Sequence, residues 1–438
     1  MRPRGRTRPR TRTRARSTAR RSRRSSSAGR SRPRSPDPSG TLRVSDAFDV
    51  AVVGGGIIGC ACAYELATRG ASVVLLEREQ IAAGASGRNH GLLLTPLDAA
   101  LLPMAGRSSA TYEDVVRDAP LRVHLDPSPI GFLIVAEDDV EREAAREEAE
   151  TAAACGVPIE AVDGSALREL EPALAPELSS GWLLQDGRRV DPAALTVGLA
   201  LLARERGADV RTGETVRSVI RGSGRVTGVV TDRGPILAST VVLAAGPWTA
   251  TLTRPLGVDL PIAGARGWLV HLGANGAGPS RLIGRAGWHL VSERETPAFL
   301  TARTWAAEGS RPFVGGLVQP NPDGTVLAGG SRAWAVTEEP EDPEVPRKIL
   351  SSAVRMFPGL AEARPLAAWW GVRPVTPDDR PIVARVADGL IVASGHGSQG
   401  VILGGGTGEL VAALAQGEPP PFDPAPFAPD RFARTMVE

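Results

Sequence analysis

Three glycines and one carboxylate imply chemistry most directly in this chain. Gly54, Gly56 and Gly59 stand in the spacing G-x-G-x-x-G. The first glycine permits a tight turn, the second lets a diphosphate approach bare backbone, and the third lets a helix pack closely on the preceding strand. The amides of Gly56, Ile57 and Ile58, at the positive end of that helix, suit a pyrophosphate. Glu77 ends the next apolar run. A carboxylate there accepts hydrogen bonds from both ribose hydroxyls of an adenosine and disfavours a 2′-phosphate. By itself this fingerprint allows either NAD or FAD.

The elements that must hold these residues are legible around them. Residues 49–53 form a short apolar run, expected as a buried parallel strand. A helix to about Arg69 follows, closed by Gly70, and then a strand over residues 73–76. The loop over residues 82–91 is rich in small residues and suits close packing against a cofactor. From about Leu97 the texture changes to a charged helix, short strands and proline turns. Asp191 then caps a helix with Pro192 in its first turn, a hairpin spans residues 216–230, and a buried strand ends in Ala245-Gly246. After a second stretch of short strands, a cofactor-like texture returns from Gly371 to about residue 414. The expected layout is a tail (1–46), then cofactor-binding segments (47–97, 190–256 and 371–420). Two substrate-domain segments (98–189 and 257–370) alternate with these, and a C-terminal tail (421–438) ends the chain.

Composition narrows the classes of function. A chain of 438 residues with 42% hydrophobic content can bury a large core. No window reaches the ~18 consecutive apolar residues of a membrane span. The net charge is +2 for the whole chain and +14 for residues 1–40, hence −12 for residues 41–438. The arginine-rich tail has too few apolar residues to fold and no aromatics to stack bases. It reads as a disordered extension, or as translation from a start placed too far upstream, and nucleic acid is not the expected partner. Cys60, Cys62 and Cys155 form neither a disulfide framework nor a metal-ligand spacing. Reduced cysteines in a cytoplasm are the expectation, with no metal site.

Five ordered motifs carry a resemblance over residues 48–415. They are the fingerprint, the small-residue loop, Ala245-Gly246, Gly371-x-Arg373-Pro374 and Gly395-His396-x-x-x-Gly400. Together they resemble the D-amino-acid oxidase superfamily, which includes glycine oxidase, sarcosine oxidase and the D-amino-acid dehydrogenases. The resemblance implies an α/β fold in which a Rossmann-like FAD-binding domain is interleaved with a mostly antiparallel β-sheet substrate domain. It implies FAD, held without a covalent bond, and oxidation of an amino acid or N-methylated amino acid. Hydride would leave the amine-bearing carbon for flavin N5, and the imine product would then hydrolyse. The electron acceptor would be oxygen or an electron-transfer partner. Oxidation of a 2-hydroxy acid on the same fold is the alternative enzyme reading. A nucleic-acid-associated flavoprotein acting through the tail is the non-enzyme one.

The resemblance also assigns residues. Arg78, Ala85, Ser86, Arg88, Asn89, His90, Gly91 and Leu92 would line the cofactor, with Val216 on the adenine side and Ala245 and Gly246 beneath the ADP half. Gly397, Ser398, Gln399, Gly400 and Val401 would face the N1–C2=O edge of the flavin, where donors stabilise the charge that arrives with hydride. Arg373 would clamp the substrate carboxylate bidentately. His396 is a candidate catalytic residue and Tyr112 a candidate substrate contact. Two departures stand out. No cysteine precedes Thr376-Pro377-Asp378 as an attachment site for flavin. The only lysine, Lys348, sits in a charged helix, which puts oxygen activation by a lysine in doubt.

Overall fold

A strand that is apolar on both faces is stable only inside a sheet that is covered on both sides. Residues 50–53 are such a strand: each is at most 5% exposed. The computed structural model describes residues 47–286, 313–334 and 344–432; the expected tail at 1–46 lies outside them. Down the chain come β1 (Ala47–Val53), α1 (Ile57–Thr68), β2 (Val73–Glu77), β3 (Leu92–Leu93) and α2 (Leu102–Asp118). Next are β4 (Phe132–Ala136), α3 (Asp139–Ala154), β5 (Ile159–Asp163), α4 (Gly164–Leu170), β6 (Ser180–Leu184) and β7 (Arg188–Arg189). The chain continues through α5 (Pro192–Glu205), β8 (Asp209–Thr212), β9 (Val216–Gly222), β10 (Arg225–Thr231), β11 (Gly234–Leu243) and α6 (Thr249–Thr253). There follow β12 (Ala263–Gly273), β13 (Leu282–Arg285), β14 (Phe313–Pro320), β15 (Thr325–Trp334), α7 (Glu344–Met356) and β16 (Arg364–Val375). The described chain closes with β17 (Ile382–Ala387), β18 (Leu390–Ser394) and α8 (Gly400–Gln416).

Two eight-stranded sheets organise these elements. The first has the order β17-β18-β11-β1-β2-β8, with β10 paired to β11 and β9 to β10. Its β18-β11-β1-β2-β8 core is parallel. One face is covered by α1, α2, α5 and α8, whose apolar side chains share a core with those of β1 and β2. The second sheet runs β16-β12-β15-β14-β13-β4-β6-β5 and is antiparallel except at β13–β4. Helix α7 buries Val345, Ile349, Ala353 and Met356 against it. The expected α/β fold, with a parallel nucleotide-type sheet interleaved with a mostly antiparallel one, is the fold observed.

Local signals account for the element ends. Gly70 takes φ +82° after α1, and the Asp191 carboxylate accepts from the Ala194 amide at 2.9 Å to cap α5. The structure revises two of the expected boundaries. Helix α2, placed by sequence in a substrate segment beginning at 98, packs Met104, Tyr112 and Val115 into the core shared with α1 and α8. The boundary expected between residues 370 and 371 falls inside β16, which pairs with β12 without a break from Trp369 to Val375. Arg373 therefore belongs to the antiparallel sheet.

Candidate active site

A cavity of about 1420 Å³ lies between the carboxyl ends of the parallel strands and the antiparallel sheet. It exceeds the roughly 300–1,000 Å³ of ordinary small-molecule pockets. Its lining includes Glu77 and Arg217 from the nucleotide-type sheet and Arg332 and Arg373 from the antiparallel one.

The Glu77 carboxylate is held by nearby backbone amides. It accepts from the Gly55 amide at 2.6 Å and, through its other oxygen, from the Glu79 amide at 2.8 Å. Each oxygen keeps a second lone pair for an outside donor such as a ribose hydroxyl. Arg78 lies 3.9 Å over the Trp248 ring, and both residues line the cavity with Val216, Ala245 and Gly246.

Helix α1 starts at the cavity wall. Its N-cap, Gly56, has no side-chain cap, and the Ile57 amide donates to Ser86 Oγ at 2.9 Å. Gly54, Gly56, Ile57 and Ile58 line the cavity, whereas Gly59 does not. Gly59 serves packing instead: a Cβ there would sit 1.9 Å from the Gly54 carbonyl oxygen. The loop after β2 brings Ala85, Ser86, Arg88, Asn89, His90 and Leu92 to the wall. Within it, the Asn89 side chain is used by the loop itself, donating to the Ala85 and Ser86 carbonyls and accepting from the Gly91 amide. Gly91 is a correction, because it lies outside the cavity lining. A Cβ on it would meet the Val190 carbonyl oxygen at 2.0 Å, and its φ is +67°.

Helix α8 also begins at the wall, with Gly397, Ser398, Gln399, Gly400 and Val401 lining the cavity and no side-chain cap on its N-terminus. Its first-turn amides, by helix geometry, lack intrahelical partners. His396 lies beneath this turn, 1% exposed, with Nε2 3.0 Å from Thr407 Oγ1. Burial pushes its imidazole down to about 3, so it is neutral. Among the described residues its buried Nδ1 has no partner, and an occupant of the cavity can supply one. A neutral ring tied to α8 is a positioning group; the candidate catalytic role is not what this geometry favours. His90 is half-buried with both ring nitrogens shielded from solvent, and burial followed by the charge of Arg373 pushes it down to about 4.

Arg373 lies on β16 and lines the cavity. Its Nη1 donates to the Ser331 carbonyl at 3.1 Å, and a Cβ on Gly267 of the neighbouring β12 would lie 2.0 Å from that nitrogen. Gly267 is therefore what lets the guanidinium lie across the sheet. Burial, then the charge of Arg332, pushes Arg373 down to about 10, so it remains cationic at neutral pH. Asp378, nearby in sequence, binds Arg431 at 2.7 Å.

Tyr112 is the other correction. It is fully buried in α2, its hydroxyl donates to the Val401 carbonyl at 2.6 Å, and it does not line the cavity. Arg332, Asp379, Trp248 and Glu148 line the cavity but were not singled out as site residues from sequence. Asp379 carried one signal, its place in the Pro-rich turn after Arg373. The others sit in strands and helices whose pattern reveals nothing of what they face.

A family model described as FAD dependent oxidoreductase (DAO) matches residues 49–414. The chain is 28% identical to a glycine oxidase of Pseudomonas aeruginosa, over 87% of this chain and 98% of the relative. It is also 28% identical to a D-amino acid dehydrogenase of Cereibacter sphaeroides, over 89% and 98%. Among solved structures, glycine oxidase from Geobacillus kaustophilus superposes with a TM-score of 0.76 at 25% identity, covering 88% of this chain and 99% of that one.

Proposed function

The chain belongs to the family of FAD-dependent oxidoreductases that matches it, and from that premise we propose that it oxidises an amino acid or N-methylated amino acid at the amine-bearing carbon. Arg373 carries the reading. It is a cationic fork, anchored on Ser331, in the wall of a cavity built for a dinucleotide. The residues present fit FAD. Glu77 would take the adenosine ribose, the uncapped start of α1 with Ser86 the pyrophosphate, and the first turn of α8 the edge of the flavin ring. Bound there without a covalent link, FAD supplies an acceptor for hydride.

The protein's own part is to bind, orient and exclude water. Arg373 binds the substrate carboxylate in two parallel hydrogen bonds and so fixes which face of the α-carbon is presented. The backbone amides of α8 would supply hydrogen-bond donors to the edge of the bound flavin ring, where negative charge is favoured. His90 and His396, both neutral, add no further positive charge to the arginines of the cavity wall. The imine product then hydrolyses in water. Lys348 is exposed on α7 and does not line the cavity, which favours an electron acceptor other than lysine-activated oxygen. The cysteines are free, two of them buried, which supports a cytoplasmic setting.

The test is anaerobic mixing of the purified holoenzyme with D-, L- and N-methyl amino acids while flavin absorbance is followed. Bleaching by at least one is expected, and Arg373→Ala should retain FAD yet lose about 100-fold or more in kcat/KM. Bleaching by 2-hydroxy acids alone would move the reading to that substrate class, and unchanged kcat/KM in Arg373→Ala would remove its carrying observation.

A further inference from the structure

Strand order and register show what lies beside Arg373 across the antiparallel sheet. Its guanidinium sits over β15: Nη1 donates to the Ser331 carbonyl at 3.1 Å, and a Cβ on Gly330 would lie 3.6 Å from Nη2. Gly329 of β15 is directly opposite Leu317 of β14, and Leu317 is directly opposite Gly284 of β13. Residues opposed in this way share one face of a sheet, and both Leu317 and Gly284 line the cavity. Neighbouring strands lie about 4.8 Å apart. Leu317 is therefore roughly 5 Å across the sheet from the strand beneath the guanidinium, and Gly284 roughly 10 Å.

That direction is apolar. The Phe132 ring lies over Gly284, where a Cβ would be 2.7 Å from its Cε2. Leu94 approaches Phe132 in turn, since a Cβ on Gly187 would lie 3.2 Å from Leu94 Cδ2 and 4.0 Å from Phe132 Cβ. Leu92, Leu94, Phe132 and Leu317 belong to one hydrophobic cluster, and all four line the cavity. Leu92, Leu94 and Leu317 are only half-buried within it, which leaves apolar surface for an occupant. Helix α3 packs Ala145 and Ala152 on the same cluster, and Glu148, between them in sequence, lines the cavity. Burial alone pushes the Glu148 carboxyl up to about 7, as it does where water is scarce.

We propose that the substrate side chain runs over β14 and β13 among Leu92, Leu94, Leu317 and Phe132, so that the preferred substrates are amino acids with long or aromatic apolar side chains. This rests on the amino-acid reading of the same site. With the α-carboxylate on Arg373, a methyl side chain stops short of Phe132. A phenyl ring or a chain of four carbons extends towards it. Each methylene taken out of water there gains about fourfold in binding. A charged tip would instead have to shed its hydration among apolar side chains, which is unfavourable.

A homologous series tests this on the intact holoenzyme. Each enantiomer of alanine, 2-aminobutyrate, 2-aminopentanoate, 2-aminohexanoate and phenylalanine is compared by anaerobic flavin reduction, with glutamate and lysine as charged members of similar length. From alanine to 2-aminohexanoate kcat/KM should rise roughly 60-fold, with both charged members at least about tenfold below the latter. Binding without turnover should follow the same order, hexanoate perturbing the flavin spectrum at lower concentration than acetate. Leu317→Asn, close to leucine in volume, should cut the ratio of 2-aminohexanoate to alanine about tenfold. Leu94→Asn repeats the measurement from a second residue, and FAD content shows which variants are folded. A ratio at or below unity, a preference for glutamate or lysine, or an unaltered ratio in the folded variants overturns the proposal while leaving the amino-acid reading in place. If no amino acid reduces the flavin, glycine and sarcosine included, both fall together.

Discussion

Glu148 shows how a single side chain in this cavity wall reports on the whole fold. Burial pushes its carboxyl up from 4.5 to about 7. The folded protein then binds more protons than the unfolded chain between those values. The stability associated with Glu148 is thus fully present below pH 4.5 and is lost as pH rises through about 7. His90 and His396 act in the opposite direction. Their pKa values fall from 6.5 to about 4 and about 3, so they cost stability as pH drops below 6.5. Glu148→Gln should therefore raise stability by about 2 kcal/mol at pH 8, with the gain vanishing near pH 5, as measured by urea unfolding at both values. A gain independent of pH would mean that the carboxyl is not desolvated. At this scale the sequence was informative where a residue belongs to a motif: Gly54, Glu77, Ser86 and Arg373 all reach the cavity. It was uninformative for Arg332 and misleading for Tyr112. A side chain's facing depends on strand register and helix packing, which no local motif encodes.

Helix α8 joins the nucleotide sheet to the site, and its glycines are what let it do so. A Cβ at Gly406 would sit 2.2 Å from the Met104 carbonyl oxygen of α2, and one at Gly408 would sit 2.7 Å from the Ala61 carbonyl oxygen of α1. Glycine inside a helix costs about 1 kcal/mol relative to alanine. Here that cost is accepted because backbone meets backbone on two sides. Gly406→Ala should accordingly destabilise the protein by roughly 2–3 kcal/mol despite its better helix propensity. The measurement is thermal melting together with retained FAD after gel filtration; a raised Tm would contradict the packing. The helix itself was foreseeable from its apolar run and from the Gly-rich segment before it. The length of β16 was not, because its exposed first half and its half-buried second half show no single alternation. Nor was the allegiance of α2, since the change in texture near residue 97 marks a loop and not a change of layer.

At the scale of the molecule, the described residues that line the cavity fall between Val53 and Ile402. Removal of residues 1–44 should therefore leave kcat/KM for flavin reduction within about twofold. A larger loss would give the arginine-rich segment a part in the enzyme. Salt-sensitive nucleic-acid binding that disappears on the same deletion would give it a separate one. The interleaving of the two sheets has a further consequence, for the order of folding. β1 is paired on one side with β2, its near neighbour in sequence, but on the other with β11, which in turn pairs with β18. A chain still emerging from the ribosome carries β1 and β2 long before β11 arrives, and β11 keeps an open parallel edge until β18 does. Such non-local parallel pairing is slow, and its unpaired edges are prone to aggregate. The amides of α8 come later still. Cofactor loading is thus a late event, in which FAD meets a binding surface completed only after the chain has twice left the nucleotide sheet and returned.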